Sequence, residues 1–427
     1  MSRPSIQDSF DAYLDELAPK LGHADRVPSF KDYCYGLMLP LSRKSIEPIA
    51  ASVDPENVQA RHQALHHLVA KATWSDLALL TGVAQWVLPH LLPGTTPFWI
   101  IDDTSFRKKG RHSVGVSRQY CGEIGKQDNC QVAVSLSVAT ERASLPVAWR
   151  LYVPRSWTDD PARCRRAGIP VDVAFATKPD IALQQVRETL DAGIKPGIVL
   201  ADAAYGKVTA WRAQLAEWGL SYCVGVHEDL SVWAPETEPL PPHWSGRGRP
   251  PTRWQQTAEH HPVSAAALAH ALESANYQVI TWREGTNQSL TSRFAAVRVR
   301  VARGMQRREP EWLLIEWPES ADKPAKYWLS NLPEDTSLTT LVKVAKARWR
   351  IERDYQELKQ EFGLDHYEGR NWRGFHHHAS LCIAAYGFLV AERLRRRDQK
   401  KILRFPMPTL PASYRPRGGT EGPASCE

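Results

Sequence analysis

The chain has 427 residues, with 54 Lys and Arg against 47 Asp and Glu for a net charge of +7, and seven cysteines. That length exceeds what one ordinary core needs, so two or three structural units are expected, and the basic excess suits a polyanionic partner. The cysteines (34, 121, 130, 164, 223, 382 and 426) form no C-x-x-C pair, so they indicate neither a zinc ribbon nor a disulfide framework and fit a reducing compartment. The N-terminus MSRPSIQDSFDAYLDEL lacks the apolar core of a signal peptide, and the longest apolar run, ASLCIAAYGFLVA at 379–391, is too short to cross a bilayer. A cytoplasmic protein with no membrane segment is expected.

The first 95 residues have helical spacing, with Phe10, Tyr13, Leu14 and Leu17 on one face and Leu77, Leu80, Ala84 and Leu88 following Ser75 as a cap. They form the first expected domain, 1–95. Strands then begin with TPFWIIDD (96–103), QVAVSLSVA (131–139) and LPVAWRLYV (145–153), read as an antiparallel meander. A helix at 180–193 opens at Asp180 and closes at Gly193, and the buried strand GIVLAD (197–202) follows. A second helix carries Val208, Trp211, Leu215 and Trp218 on one face, before the strand SYCVGVHE (221–228). The expected core, first part, is thus 96–228 in the order β-β-β-α-β-α-β.

A Pro-rich loop, PETEPLPPHWSGRGRPPTRW, then leads into strands YQVITWR, AAVRVRVAR and EWLLIEW, read as a β-rich insertion at 229–325. The remaining core, 326–398, is expected to hold one continuous helix from Ser337 to Gly363 and a second, apolar helix over 376–396, with a disordered tail at 399–427. His376, His377 and His378 are consecutive, so they cannot all face one ligand, and a surface cluster at a helix start is expected.

Two strands end in acid: IIDDT places Asp102 and Asp103 at the end of the first, and IVLAD places Asp202 at the end of the fourth. If these strands are neighbours, the carboxylates open onto one sheet edge, where their repulsion calls for a cation, Mg²⁺ being the natural choice. A third carboxylate should come from a helix across that edge. In RWRIERDYQELKQEFGLDHYEGR (348–370), Arg348, Glu352, Tyr355 and Lys359 fall within a stripe of about 60° while Glu357 points about 140° away from Glu352. Ile351, Leu358 and Phe362 lie beside that stripe and would dock the helix, carrying the polar stripe at the rim of the contact.

The order of elements and four stretches together resemble the DDE insertion-sequence transposases, in particular insertion-sequence family seven hundred and one. These are IDDTSFRKKGRHSVGVSRQYCGEIGKQDNCQVAV, LYVPRSWTDD, VLADAAYG and the helix just quoted. The resemblance implies an RNase H-like α/β catalytic core with an N-terminal helical domain and a β-rich insertion before the last catalytic helix. It implies a catalytic and metal-binding triad of Asp102, Asp202 and Glu352. Asp102 is favoured for the D-x-T form it makes with Thr104, and Asp103 is the alternative. In the family the third acid lies in a signature of Tyr, two residues, Arg, three residues, Glu, six residues, Lys. Arg348, Glu352 and Lys359 match it, whereas Ala345 stands where the tyrosine would be.

The implied activity is Mg²⁺-dependent cleavage of double-stranded DNA at element ends and strand transfer into target DNA. Two metal ions serve both steps, Mn²⁺ is able to substitute, and a homodimer holds two ends in a bacterial, nucleoid-associated setting. Arg348 and Lys359 would hold phosphates, as would Lys108, Lys109 and Arg111 just beyond the first acid. Arg247 and Arg249 in SGRGRPPTR and the alternating Arg298 and Arg300 are further candidates for DNA contact, set against a plain linker and a solvated strand face. The N-terminal helices are the candidate reader of element ends. Two rival readings stay open: a transposase-derived DNA-binding protein, and a nuclease without strand transfer.

Overall fold

The computed structural model describes residues 5–397 apart from 242, 245, 250, 251, 253, 285–288 and 304–306. The expected disordered tail at 399–427 and parts of the 245–253 loop lie outside the described residues. Five helices open the chain: α1 (Ile6–Leu17), α2 (Val27–Met38), α3 (Ile46–Val53), α4 (Val58–His66) and α5 (Asp76–Leu91). At the start of α1 the Ser5 hydroxyl accepts the Asp8 N–H while the Asp8 carboxylate accepts the Ser5 N–H, a reciprocal cap that fixes where the helix begins. Its buried face is Phe10, Tyr13, Leu14 and Leu17, as the spacing predicts.

Next come β1 (Phe98–Arg107), β2 (Ser117–Cys121), β3 (Lys126–Ala139) and β4 (Ser144–Leu151), then the short α6 (Arg155–Thr158), α7 (Pro161–Ala167) and α8 (Lys178–Asp191). Sequence reading missed β2, because SRQYC offers too little alternation to stand out. Helix α8 starts earlier than Asp180: Thr177 is the cap and Asp180 closes the box three residues on. The chain continues through β5 (Ile198–Ala201), α9 (Ala203–Gly206), α10 (Thr209–Glu217), β6 (Tyr222–Val226), β7 (Ser231–Trp233), β8 (Val263–Ser264), α11 (Ala265–Ala271), β9 (Gln278–Glu284), β10 (Ser289–Val301), β11 (Glu311–Trp317) and β12 (Lys326–Ser330). It closes with α12 (Leu338–Lys346), α13 (Trp349–Gln360) and α14 (Trp372–Arg397).

The chain folds as two compact units, one of Met1–Thr95, Asp103–Ile194 and Arg350–Glu427, the other of Thr96–Asp102 and Lys195–Trp349. Strand β1 passes from the second into the first between Asp102 and Asp103.

In the first unit β2, β3 and β4 form an antiparallel ladder, and α14 is its buried helical axis, with Leu381, Cys382, Ile383, Ala384 and Ala385 all fully buried. A helix enclosed on every side needs no polar stripe, which is why 379–391 reads as uninterrupted apolar sequence. Tyr13 locks α1 to it by donating its hydroxyl to the Ala384 carbonyl at 2.8 Å.

The second unit is built on a large mixed sheet in the order β1-β5-β6-β12-β11-β10-β7-β8, with β9 also on β10. Strands β1, β5 and β6 run parallel and the rest pair antiparallel. Val299, Val301, Leu313, Ile315 and Leu329 form its far core under Ala265, Leu268 and Ala269 of α11. Among the described residues no helix is long and apolar enough to cross a membrane.

Candidate active site

In β1, Phe98, Trp99 and Ile100 pair in parallel with Ile198, Val199 and Leu200 of β5. Two residues beyond the last of these rows stand Asp102 and Asp202, so the register sets the two aspartates level; Asp202 follows the last residue of β5, whereas Asp102, expected at a strand end, lies within β1, which runs on to Arg107. The residues leading to them are buried on both faces of the sheet (Ile100, Ile101, Leu200 and Ala201), and β1 is buried again just beyond, at Thr104, Ser105 and Phe106.

Asp202 caps α9, its Oδ1 accepting the Ala204 N–H at 2.9 Å. This strand-to-helix turn is held by close backbone packing. A Cβ at Gly206 would lie 1.9 Å from the Gly225 carbonyl oxygen in β6, so only glycine fits there. The Arg212 guanidinium donates to the Gly206 carbonyl and lies 3.8 Å from Glu311. Glu311 in turn accepts the Tyr222 hydroxyl, and burial together with that carboxylate pushes the phenol far above its usual range.

The Asp102 side chain is only 14% exposed, and Arg348 donates from Nη1 to its Oδ2 at 2.7 Å. Arg348 does not sit on a helix. The continuous helix expected from Ser337 to Gly363 is broken: α12 ends at Lys346, Ala347 and Arg348 form a turn, and α13 starts at Trp349. No glycine or proline marks the break. The flanking residues are instead anchored by tertiary contacts. Lys346 reaches Glu316 at 2.6 Å and lies 4.2 Å over the Trp282 ring, and the Trp349 ring carries the Arg283 guanidinium at 3.7 Å. The expected stripe therefore loses Arg348 to a turn.

Asp103 forms a different pair, with Lys178 Nζ at 2.7 Å from its Oδ2. On α13, Ile351, Leu358 and, just past its end, Phe362 are all fully buried, the docking ladder that the helical spacing predicts. Glu352 is exposed in the first turn. Tyr355, expected on the polar stripe, is buried instead, its hydroxyl 2.8 Å from that of Ser135. Glu357 pairs with Arg353 at 3.1 Å and with Arg393 at 2.5 Å. Lys359 donates from Nζ to the Ser105 carbonyl at 2.9 Å, and burial holds its ammonium below the usual lysine range.

The remaining basic candidates divide by what their donors meet. Lys108 donates to the Tyr367 carbonyl at 2.8 Å, and burial lowers its pKa. Arg298 donates to the Pro310 carbonyl at 2.7 Å and lies over Trp312; Arg300 bonds the Arg308 carbonyl and lies 3.6 Å from Glu238. Their face of β10 is half-buried and engaged with its own unit rather than a plain solvated surface. Lys109, Arg111, Arg247 and Arg249 are exposed, the last two following Gly246 and Gly248, whose φ values of 82° and 76° are left-handed.

Two features escaped sequence reading. Asp354 is 2% exposed, accepts the Ser144 hydroxyl at 2.5 Å and the Tyr386 hydroxyl at 2.9 Å, and burial pushes its carboxyl up to about 7. The signal was available, since 354 lies three after Ile351 and four before Leu358, on the docking face itself.

The three histidines, expected at the surface, are all buried. His376 accepts the Leu151 N–H at Nε2 and holds the Trp372 carbonyl at Nδ1. His378 takes the Tyr33 hydroxyl and the Gly363 carbonyl, while His377 lies flat on Trp74 at 3.6 Å between ring centroids. Burial lowers the pKa of His377 and of His378 to about 4, so both rings are neutral packing elements at physiological pH. Their buried positions follow from α14 being enclosed on all sides.

Among the described residues no group of three or more His, Cys, Asp or Glu gathers closely enough to hold a metal ion. The carboxylates that the strand register brings level are Asp102 and Asp202.

A mixed α/β protein with carboxylates level on neighbouring parallel strands belongs to a class suited to acid-centred, cation-assisted chemistry on phosphate esters. The chain belongs to the DDE superfamily endonucleases, whose sequence model matches residues 16–289. That match takes in Asp102, Asp103 and Asp202 and ends before Glu352. The chain is also similar to a probable transposase for insertion sequence element IS701 from Microchaete diplosiphon, with 30% identity over 210 residues. The similarity covers 48% of this chain and 51% of the relative, so the chain spans about half the length of the curated relative it matches.

Proposed function

We propose that the protein is a transposase of a bacterial insertion sequence, built on an RNase H-like core, that cuts double-stranded DNA at element ends and joins them to target DNA. The observation that carries this reading is the level pairing of Asp102 and Asp202 in a chain of the DDE superfamily endonucleases. Asp102 is the better candidate than Asp103, because the β1–β5 register sets it level with Asp202, while both aspartates already pair with a cation, Arg348 and Lys178 respectively. Glu352, four residues past Arg348 and exposed in the first turn of α13, is the third acid.

These three carboxylates would hold Mg²⁺, with Mn²⁺ able to substitute. When bound, two such ions supply Lewis-acid stabilisation of the charge that develops on the phosphate oxygens. In the first step a water oxygen bonds to phosphorus, the P–O3′ bond breaks and the 3′ oxygen leaves as a hydroxyl. In the second, that hydroxyl attacks a target phosphodiester and releases the target's own 3′ oxygen. Arg348 pairs with Asp102 in the free protein, and with DNA present its guanidinium grips the scissile phosphate through parallel hydrogen bonds. Lys109, Arg247 and Arg249 are exposed and free to meet backbone phosphates, whereas Lys108, Lys359, Arg298 and Arg300 already donate within the protein. Two ends must be joined, so the working form is a homodimer acting in the cytoplasm, where bacterial DNA lies.

The test is incubation of the protein with labelled DNA carrying the element's own ends and Mg²⁺. Cleaved and joined products are expected. Cleavage without joining leaves a nuclease, and binding without cleavage leaves a DNA-binding remnant.

A further inference from the structure

LYVPRSWTDD, at 151–160, is not used by the acids, yet it builds a distinct feature of the first unit. Its centre is Trp157, 1% exposed, whose indole N–H donates to the Val116 carbonyl at 2.8 Å. That bond fastens the short α6 to the end of the loop that leaves β1. On the Trp157 ring lies the Arg163 guanidinium at 3.7 Å, and its Nη2 donates to the Arg111 carbonyl at 3.0 Å. The loop after β1 and the α6–α7 hairpin are thus fastened together twice. A second arginine, Arg155, lies 4.1 Å over the Phe175 ring. Around these fastenings Arg155, Arg165, Arg166, Lys109 and Arg111 are all exposed. The acids of the hairpin are Asp159 and Asp160, and Asp160 is occupied in capping α7 by accepting the Arg163 N–H at 2.9 Å.

We infer that the α6–α7 hairpin and the loop after β1 form a duplex-DNA backbone clamp, with Arg155, Arg165 and Arg166 neutralising phosphates; the inference rests on the transposase reading. The chemistry favours phosphate over a solvated charged face. Four of the five exposed cations are arginines, whose planar fork matches a phosphate through paired hydrogen bonds. Stacking on an aromatic ring uses the face of a guanidinium and leaves its N–H edge pointing outward, so Arg155 loses little freedom on binding. The surface also adjoins the strand that carries Asp102 and Asp103, since the loop begins where β1 ends at Arg107.

The experiment measures affinity for a short fluorescent duplex of arbitrary sequence by anisotropy across a range of KCl, for the full chain and for Arg155→Gln, Arg165→Gln and Arg166→Gln combined. Each neutralised phosphate contributes about 0.9 to the slope of log K against log salt, so the triple variant should be shallower by about 2.7 and weaker at low salt. The version with Lys at the same three positions keeps the charge and should keep the slope. An unchanged slope in the Gln variant, with wild-type binding intact, overturns the clamp and leaves the transposase reading standing. A slope lost equally in the Lys variant also overturns it, because folding rather than charge would then be responsible. No binding by the wild type overturns both.

Discussion

Replacing Asp354 by Asn should change how stability depends on pH, and the structure sets the size of the change. The carboxyl is 2% exposed and titrates at about 7 in the folded protein, against about 3.9 in an unfolded chain. A raised folded value means that the native state holds a proton the unfolded state has released. Stability therefore falls as pH rises between those two values, and the penalty is absent below the lower one. A gap of about three pH units at 1.36 kcal/mol each amounts to about 4 kcal/mol above pH 8, of which roughly 2.6 develops between pH 5 and pH 8. Asparagine never ionises and can still accept from Ser144 and Tyr386 through its carbonyl oxygen. It adds an amide N–H₂ where Oδ2 is buried without a hydrogen-bond partner, at a cost of about 1–3 kcal/mol at every pH. Urea unfolding at a series of pH values should give an Asp354→Asn curve offset downward near pH 5 that converges with or overtakes the wild type by pH 8. Two curves that run parallel across that range would refute the reasoning.

Asp202→Ala and Glu352→Ala should each abolish DNA cleavage while thermal melting stays near the wild type, whereas Glu357→Ala should still cut and lose about 1 kcal/mol of stability from its pairs with Arg353 and Arg393. Arg348→Ala should slow cleavage far more than it weakens DNA binding, with Arg348→Lys recovering only part of the rate because an ammonium cannot make the paired contact; full recovery of the Ala variant at high Mg²⁺ would point to an orienting role instead. Gly206→Ala places a Cβ 1.9 Å from the Gly225 oxygen and should cost about 1–3 kcal/mol in urea unfolding, with cleavage falling too as the turn carrying Asp202 shifts. Replacing Arg247 and Arg249 together by Ala should reduce the salt slope of DNA binding by about 2, and an unchanged slope would make their loop a linker.

Local physics made much of this protein legible in its residues alone. The face of α1, the strand that ends just before Asp202 and the docking ladder of α13 all follow from period and capping. Each depends on side chains a few residues apart. What escaped depends on partners far along the chain. The break at Ala347 and Arg348 has no local breaker and coincides with the anchoring of Lys346 to Glu316 and Trp349 to Arg283, so no window around 348 could reveal it. The burial of three successive histidines contradicts their polarity and is decided by distant segments that supply a separate backbone or hydroxyl partner to each ring, Leu151 to His376, Val69 to His377 and Tyr33 to His378. Whether a basic residue is open to solvent was likewise hidden: Arg298 and Arg247 look alike in sequence, but one lies against Trp312 while the other is exposed. Sequence by itself determined the buried faces of α1 and α13 and the acid that follows β5, because those are short-range matters. Only the tertiary structure decided which of its charges are engaged inside the fold, because burial and pairing are set by whatever distant segment packs alongside.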